Sequence, residues 1–317
     1  MSTFSAVTPS LCDSTIPGKH SLVMLIKHMI KLVAITALVI ILGFTPLCCA
    51  DNLPNNCTEA TERAAEFLIS RQKNGVWQEY RSHQLGETSL VALSLVHANK
   101  KKTTAVRSAE QQVRRYLSSN SETYDVSLAI MFLDSLEKKQ DLYLLRDAGN
   151  RIGNGQLKNG AWSYGIPGNG RVDYRNTLSG GDNSCTQFAI MGSWIARRYG
   201  TQNEACLRLA DIYFRNSVDA NTGGWAYSTN GGAPTASMTC AGLLALAAKK
   251  GVDSLTSTRK KRDGHKKPQD NSSKNKTATA DRETQVEPID PVVQRAFAYL
   301  GEQLRAHPNE LSRDYYF

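Results

Sequence analysis

Apolar residues recur at helical spacing over most of the chain after residue 56, and no stretch alternates with the two-residue period of a half-buried strand. Residues 57–71 put Ala60, Ala64, Phe67 and Leu68 on one side, and Asn74-Gly75 stops the pattern. The same reading predicts helices over 88–98, 104–118, 125–137, 141–157, 184–199, 203–218, 237–250 and 291–304. Two kinds alternate. Segments 57–71, 104–118, 203–217 and 291–304 are amphipathic and charged. Segments around 90–93, 128–133, 188–191 and 243–247 are apolar on most faces and therefore buried. An outer ring of amphipathic helices around an inner ring of buried ones produces that alternation, so the expected fold is all-α, an α/α toroid of helical hairpins.

A motif recurs where the two kinds meet. Gly75-Val76-Trp77-Gln78-Glu79-Tyr80, Gly160-Ala161-Trp162-Ser163-Tyr164 and Gly223-Gly224-Trp225-Ala226-Tyr227 each precede a buried helix with a hydroxyl near its start: Thr88, Thr186 and Thr239. Ser127 takes that place in a unit without the Trp motif. Glycine permits a sharp turn, and Trp and Tyr on alternate sides of an extended link can cover neighbouring helix ends.

These residues resemble the prenyltransferase and squalene oxidase repeat of squalene and terpene cyclases and protein prenyltransferase β-subunits, in particular exported bacterial proteins carrying such repeats. The resemblance covers about residues 57–250 and, weakly, 291–317. It implies the toroid. It does not carry the chemistry across, because the Asp-x-Asp-Asp of hopene-type cyclases is absent. Asp182-Asn183-Ser184-Cys185-Thr186 shares only Cys-Thr with the oxidosqualene cyclase motif. The Asp, Cys and His zinc set of the prenyltransferases is also missing, so no metal or cofactor is expected.

Three carboxylates stand at or just before buried-helix starts: Glu87, Asp125 and Asp182. In a toroid those starts share one face, where the acids could ring a cavity mouth with Tyr80, Tyr124 and Tyr164. Paired carboxylates with aromatic platforms are what glycoside hydrolysis uses, whereas acids at helix N-termini are also favoured by capping and the macrodipole. Trp77, Trp162, Trp225 and Tyr227 are candidate ligand contacts on the same grounds, with an architectural role as the alternative. The link after Trp162 is longer than its counterparts, with 24 residues from Trp to Thr against 11 and 14. It is polar and glycine-rich, and Arg171 and Tyr174 within it are candidate binding residues.

Charge changes the picture in one place. The chain carries 38 basic and 29 acidic residues, a net +9, but residues 249–282 hold eleven basic and four acidic ones. The rest from residue 51 onward is balanced, which argues against a nucleic-acid partner. Residues 254–285 have no large apolar side chain after Leu255 and are expected to form a basic, disordered linker. Residues 286–317 then supply an outer-type helix and the opening of another unit, so the ring is expected to be open or incomplete, and a second copy of the chain is a candidate partner. At the other end, the apolar run 32–44 follows Lys27 and Lys31 and precedes small residues up to Ala50. Residues 1–50 therefore read as a signal peptide for export, with 1–28 as a candidate mis-assigned start and a membrane anchor through 22–44 as the alternative. Cys57, Cys185, Cys206 and Cys240 lack metal-ligand spacing and are expected as buried free thiols.

Together these features point to an exported binding or structural module for a small molecule, glycan or protein, touching a membrane only through its N-terminal segment. A periplasmic carbohydrate-active hydrolase or lyase is the alternative, and an isoprenoid-processing enzyme the least supported.

Overall fold

The computed structural model describes residues 53–79, 83–166, 180–264 and 289–306. The N-terminal segment 1–50, Tyr80, Arg171, Tyr174, most of the linker and residues 307–317 lie outside the described residues. Within them the fold is all-α, as the periodicity predicts: nine α-helices, isolated β-bridges in the joins, and no strand. The helices are α1 (Leu53–Arg71), α2 (Gln84–His97), α3 (Thr104–Leu117), α4 (Thr123–Leu136), α5 (Leu142–Asn154), α6 (Asn183–Ala196), α7 (Glu204–Ser217), α8 (Ala236–Gly264) and α9 (Pro291–Ala306).

The helices that are apolar all round form a row, with α2 against α4, α4 against α6 and α6 against α8. The amphipathic helices lie against this row: α3 on α2, α5 on α4 and α6, α7 and α9 on α8. Each contributes one stripe, such as Val106, Ala109, Val113 and Leu117 of α3 or Leu145, Ala148 and Ile152 of α5, all buried. The row helices have no polar face to spare. In α4 every residue from Asp125 to Leu133 is buried.

The Trp motifs build the joins, and each makes the same set of contacts. The indole N–H donates to a carbonyl in the last turn of the preceding amphipathic helix: Trp77 to Leu68 at 2.6 Å, Trp162 to Ile152 at 2.7 Å, Trp225 to Phe214 at 2.8 Å. Those carbonyls are among the four that a helix end leaves without an internal partner. The Trp backbone N–H in turn donates to the hydroxyl of Thr88, Thr186 or Thr239 on the following row helix, at 2.9–3.2 Å. One side chain therefore ends one helix and fixes the start of the next. The motif glycines Gly75, Gly160 and Gly223 have φ of +83°, +97° and +78°, which is strained for any other L-residue. At Gly160 a Cβ would lie 2.4 Å from the Leu209 carbonyl of α7. Each glycine turn thus packs on the next amphipathic helix: Gly75 on α3, Gly160 on α7, Gly223 on α9.

The join between α3 and α4 has no Trp. Arg151 of α5 replaces it, donating to the Leu117 carbonyl at 2.8 Å and the Asn120 carbonyl at 2.6 Å. The guanidinium fork supplies from the neighbouring helix what the indole supplies elsewhere.

Three features differ from the sequence reading. First, α8 continues to Gly264, so the opening of the stretch assigned to linker is helical. Lysine and arginine propagate helices well, and Lys249 pairs with Asp253 one turn on at 2.7 Å. Second, α9 buries only part of the apolar surface that an outer-type helix offers. Ala296 and Tyr299 are buried and Val292 and Val293 pack against the core, while Phe297 and Leu304 are exposed. Third, the four cysteines form no disulfide with one another, but Cys57 is exposed and Cys206 and Cys240 half-buried, leaving Cys185 as the one buried thiol among them. Cys57 lies near the start of α1, ahead of Ala64 and Ala65, the first residues of that helix to be buried.

Candidate functional site

The three sequence-predicted acids stand at the starts of α2, α4 and α6, and each is held by a local hydrogen bond. Asp182 caps α6: its Oδ1 accepts from the Cys185 N–H at 2.7 Å and from the Ser184 hydroxyl at 2.5 Å. Glu87 accepts from the Glu79 N–H at 2.5 Å, tying the join to the first turn of α2. Asp125, only 1% exposed, accepts from the Asn120 amide at 3.0 Å through Oδ2. Its Oδ1 faces the N-terminus of α2, so close to Gly86 that a Cβ there would lie 2.4 Å away. The Gly86 N–H favours the carboxylate without closing a well-formed hydrogen bond, so Oδ1 is left with none. His83 Nδ1 stands 3.5 Å from that oxygen. Burial is the dominant influence on Asp125 and raises its carboxyl above the ordinary range, against the opposing pull of Asn120 and His83. Since the residue preceding α2 makes no side-chain cap, Asp125 acts on that helix end from the neighbouring helix.

A tyrosine cluster adjoins Asp182. Tyr124 of α4 packs against Phe188 at 4.8 Å and Tyr164 at 6.3 Å between ring centroids. The Tyr164 and Tyr227 hydroxyls meet at 2.6 Å, and Tyr227 Oη lies 3.1 Å from Ser184 Oγ. A carboxylate only accepts, so the Ser184 hydroxyl donates to Asp182. The Ser184 hydroxyl also faces the Tyr227 hydroxyl as a donor, and either partner can donate in the Tyr164–Tyr227 pair. The chain of hydroxyls ends at Tyr164, which is 51% exposed. Tyr227 is 40% exposed and Tyr124 half-buried. Burial holds the Tyr124 phenol and the Cys185 thiol well above their ordinary values, and the bond to Tyr227 does the same for Tyr164. The cluster can stack and hydrogen-bond.

Trp77, Trp162 and Trp225 sit in the joins with their rings buried. A cavity of about 240 Å³ opens beside the α2 and α4 starts, lined in part by Gln84, Thr88, Gln112, Asn120 and Asp125. Asp125 is the single carboxylate in its described lining. Sequence reasoning missed Arg151, Asn120 and Ser184. Arg151 is a charged residue in the stripe of α5 and gives no sign of whose carbonyls it serves; Ser184, two residues after Asp182, carries the pattern of a helix cap.

Among the described residues no group of three His, Cys, Asp or Glu is placed to hold a metal ion. No described helix is long and apolar enough to cross a membrane. No family model, curated protein or solved structure matches the chain.

Proposed function

We propose that this chain is an exported α/α toroid, an open ring of hairpins of the prenyltransferase and squalene oxidase repeat type, that binds a ligand without transforming it. The recurring Trp–Thr bonds at three joins and the unbroken succession α2, α4, α6, α8 support the toroid reading. The observation that carries the function is the division of labour at the helix starts. Asp182 caps α6 and Glu87 ties the join to α2, while Tyr164 and Tyr227 present rings and hydroxyls to solvent. Half-exposed aromatic rings with fixed polar tips are economical ligand contacts, since they bury area with few rotors to freeze.

A carbohydrate-active hydrolase or lyase is the second reading. The buried carboxyl of Asp125 beside a cavity favours it, since a raised acid can donate a proton. Glycoside hydrolysis needs a second carboxylate across the cleft, and the described lining supplies one alone. The test is a panel of glycans, lipids and isoprenoids offered to the mature protein, with binding and product formation followed in the same samples. Binding lost in Tyr164→Ala and Tyr227→Ala, with the ligand recovered intact, supports the module. Turnover abolished by Asp125→Asn supports the hydrolase.

A further inference from the structure

We propose that the two ends of the row α2, α4, α6, α8 dock on one another between copies of this chain, the α8 edge of one molecule receiving the α2 edge of the next. The row is held together by one kind of contact, repeated from α2 to α4, α4 to α6 and α6 to α8. Thr88, Ser127, Thr186 and Thr239 give the four helices a common register, in which the residues two, three and six places on face the preceding row helix. In α6 these positions include Phe188, whose ring centroid stands 4.8 Å from that of Tyr124 of α4, and Gly192, where a Cβ would lie 3.2 Å from Ser127 Oγ. The same positions are buried in α4, as Ala129, Ile130 and Leu133, and in α8, as Ala241 and Ala245. In α2, the first helix of the row, they are Leu90, which is 43% exposed, and the half-buried Val91 and Ser94.

The other end is open in the complementary way. One turn beyond the hydroxyl residue, on the face that Ser127 turns to α6, stand Ala92, Met131 and Ile190, all buried. The matching residue of α8 is Leu243, which stays half-buried, and one turn further Ala247 is exposed. α9 packs on α8 without closing this edge. Repeat arrays that stand alone end in polar faces, whereas leucines mark both ends here. The α8 edge therefore matches a helix edge of the kind that α4, α6 and α8 each present to a neighbour, and among the described residues the edge of that kind left open is the one on α2. Within one chain α4 and α6 stand between the two edges, so a second copy brings them together. A contact between two different patches is heterologous, and it propagates head to tail instead of stopping at a symmetric pair. The docking rests on the packing of the row and not on ligand binding at the tyrosine cluster.

Sedimentation velocity of the mature protein across the micromolar range measures the association. Species larger than one chain, growing with concentration, are expected. Leu90→Glu and Ala247→Glu each put a carboxylate into an apolar contact, and each alone should weaken association roughly tenfold or more. An equimolar mixture of the two should form dimers, because the intact α8 edge of the Leu90→Glu copy still accepts the intact α2 edge of the Ala247→Glu copy. Thermal melts establish that the variants are folded, and Leu90→Gln takes the place of Leu90→Glu if the latter unfolds. A parent that stays monomeric, its edges covered by its own chain or left open, would overturn the proposal. Parent-like association in the folded single variants, or a mixture no more associated than its components, would do the same. Tyr164→Ala should associate as the parent does, so the docking and the tyrosine cluster fail or succeed separately.

Discussion

Replacing Trp225 by alanine tests whether the recurrent motif is the structural element that joins one hairpin to the next. The indole is fully buried, donates to the Phe214 carbonyl at 2.8 Å and meets the Phe214 ring edge-on at 5.9 Å. Behind it lies Gly242 of α8, where even a Cβ would come within 2.6 Å of the ring. Helix backbone cannot collapse into the space an alanine leaves, so the cavity persists. Emptying a large aromatic site costs about 3–5 kcal/mol. The Phe214 carbonyl also loses its donor, which alone costs roughly 1–3 kcal/mol and places the total toward the upper end. For a domain of this size each kcal/mol lowers the melting midpoint by about 2–4 °C, so a fall of roughly 6–20 °C is expected by calorimetry or circular dichroism. Trp225→Phe keeps most of the volume and removes the donor, and should cost about 1–3 kcal/mol. An alanine variant melting within about 2 °C of the parent would refute the reasoning, and if it also lost a ligand the ring would belong to a binding site.

Arg151→Met removes both bonds to the Leu117 and Asn120 carbonyls and should cost about 2–4 kcal/mol in chemical denaturation, with Arg151→Lys only partly restoring it. Asp125 has a carboxyl raised in the folded state, so the native protein holds its proton more tightly than the unfolded chain. Its contribution to stability is present in acid and is lost as pH rises through the raised value. Melts of Asp125→Asn and parent across that range should therefore diverge in favour of the variant as pH rises, and parallel curves would count against the burial argument. Under native conditions an alkylating reagent should modify the exposed Cys57 first and leave Cys185 untouched until unfolding, as mass spectrometry of the labelled peptides can establish.

The helices were legible in the sequence because their signal is local. A stripe such as Val106, Ala109, Val113 and Leu117 declares a one-sided helix, and an apolar run such as 128–133 declares a buried one. The Trp motif was also legible, since three copies of Gly-x-Trp with a later Thr exceed chance, although which carbonyl each indole meets is decided only in three dimensions. What the chain hides is every role supplied from another helix. Arg151 ends α3 from α5, and Asp125 faces the start of α2 from α4, at sequence separations that no periodicity reports. The tyrosine cluster was half visible. Tyr124, Tyr164 and Tyr227 could be named as candidates, but the hydroxyl chain through Ser184 to Asp182 depends on how the α4 and α6 starts lie side by side. The end of α8 was misjudged because a basic, polar stretch lacks the apolar spacing that signals a helix, while its lysines and arginines are good helix formers.

The central claim, a toroid that binds at its tyrosine-bearing end and does no chemistry there, is tested most directly by one titration with product analysis. The mature parent, Tyr164→Ala, Tyr227→Ala and Asp182→Asn are each offered the glycan, lipid and isoprenoid panel, and every bound compound is recovered and weighed by mass spectrometry. The account predicts a ligand that returns unchanged from the parent and whose affinity falls roughly tenfold or more in the tyrosine variants, the usual loss when an aromatic anchor is truncated. Any compound returned altered by the parent would contradict it.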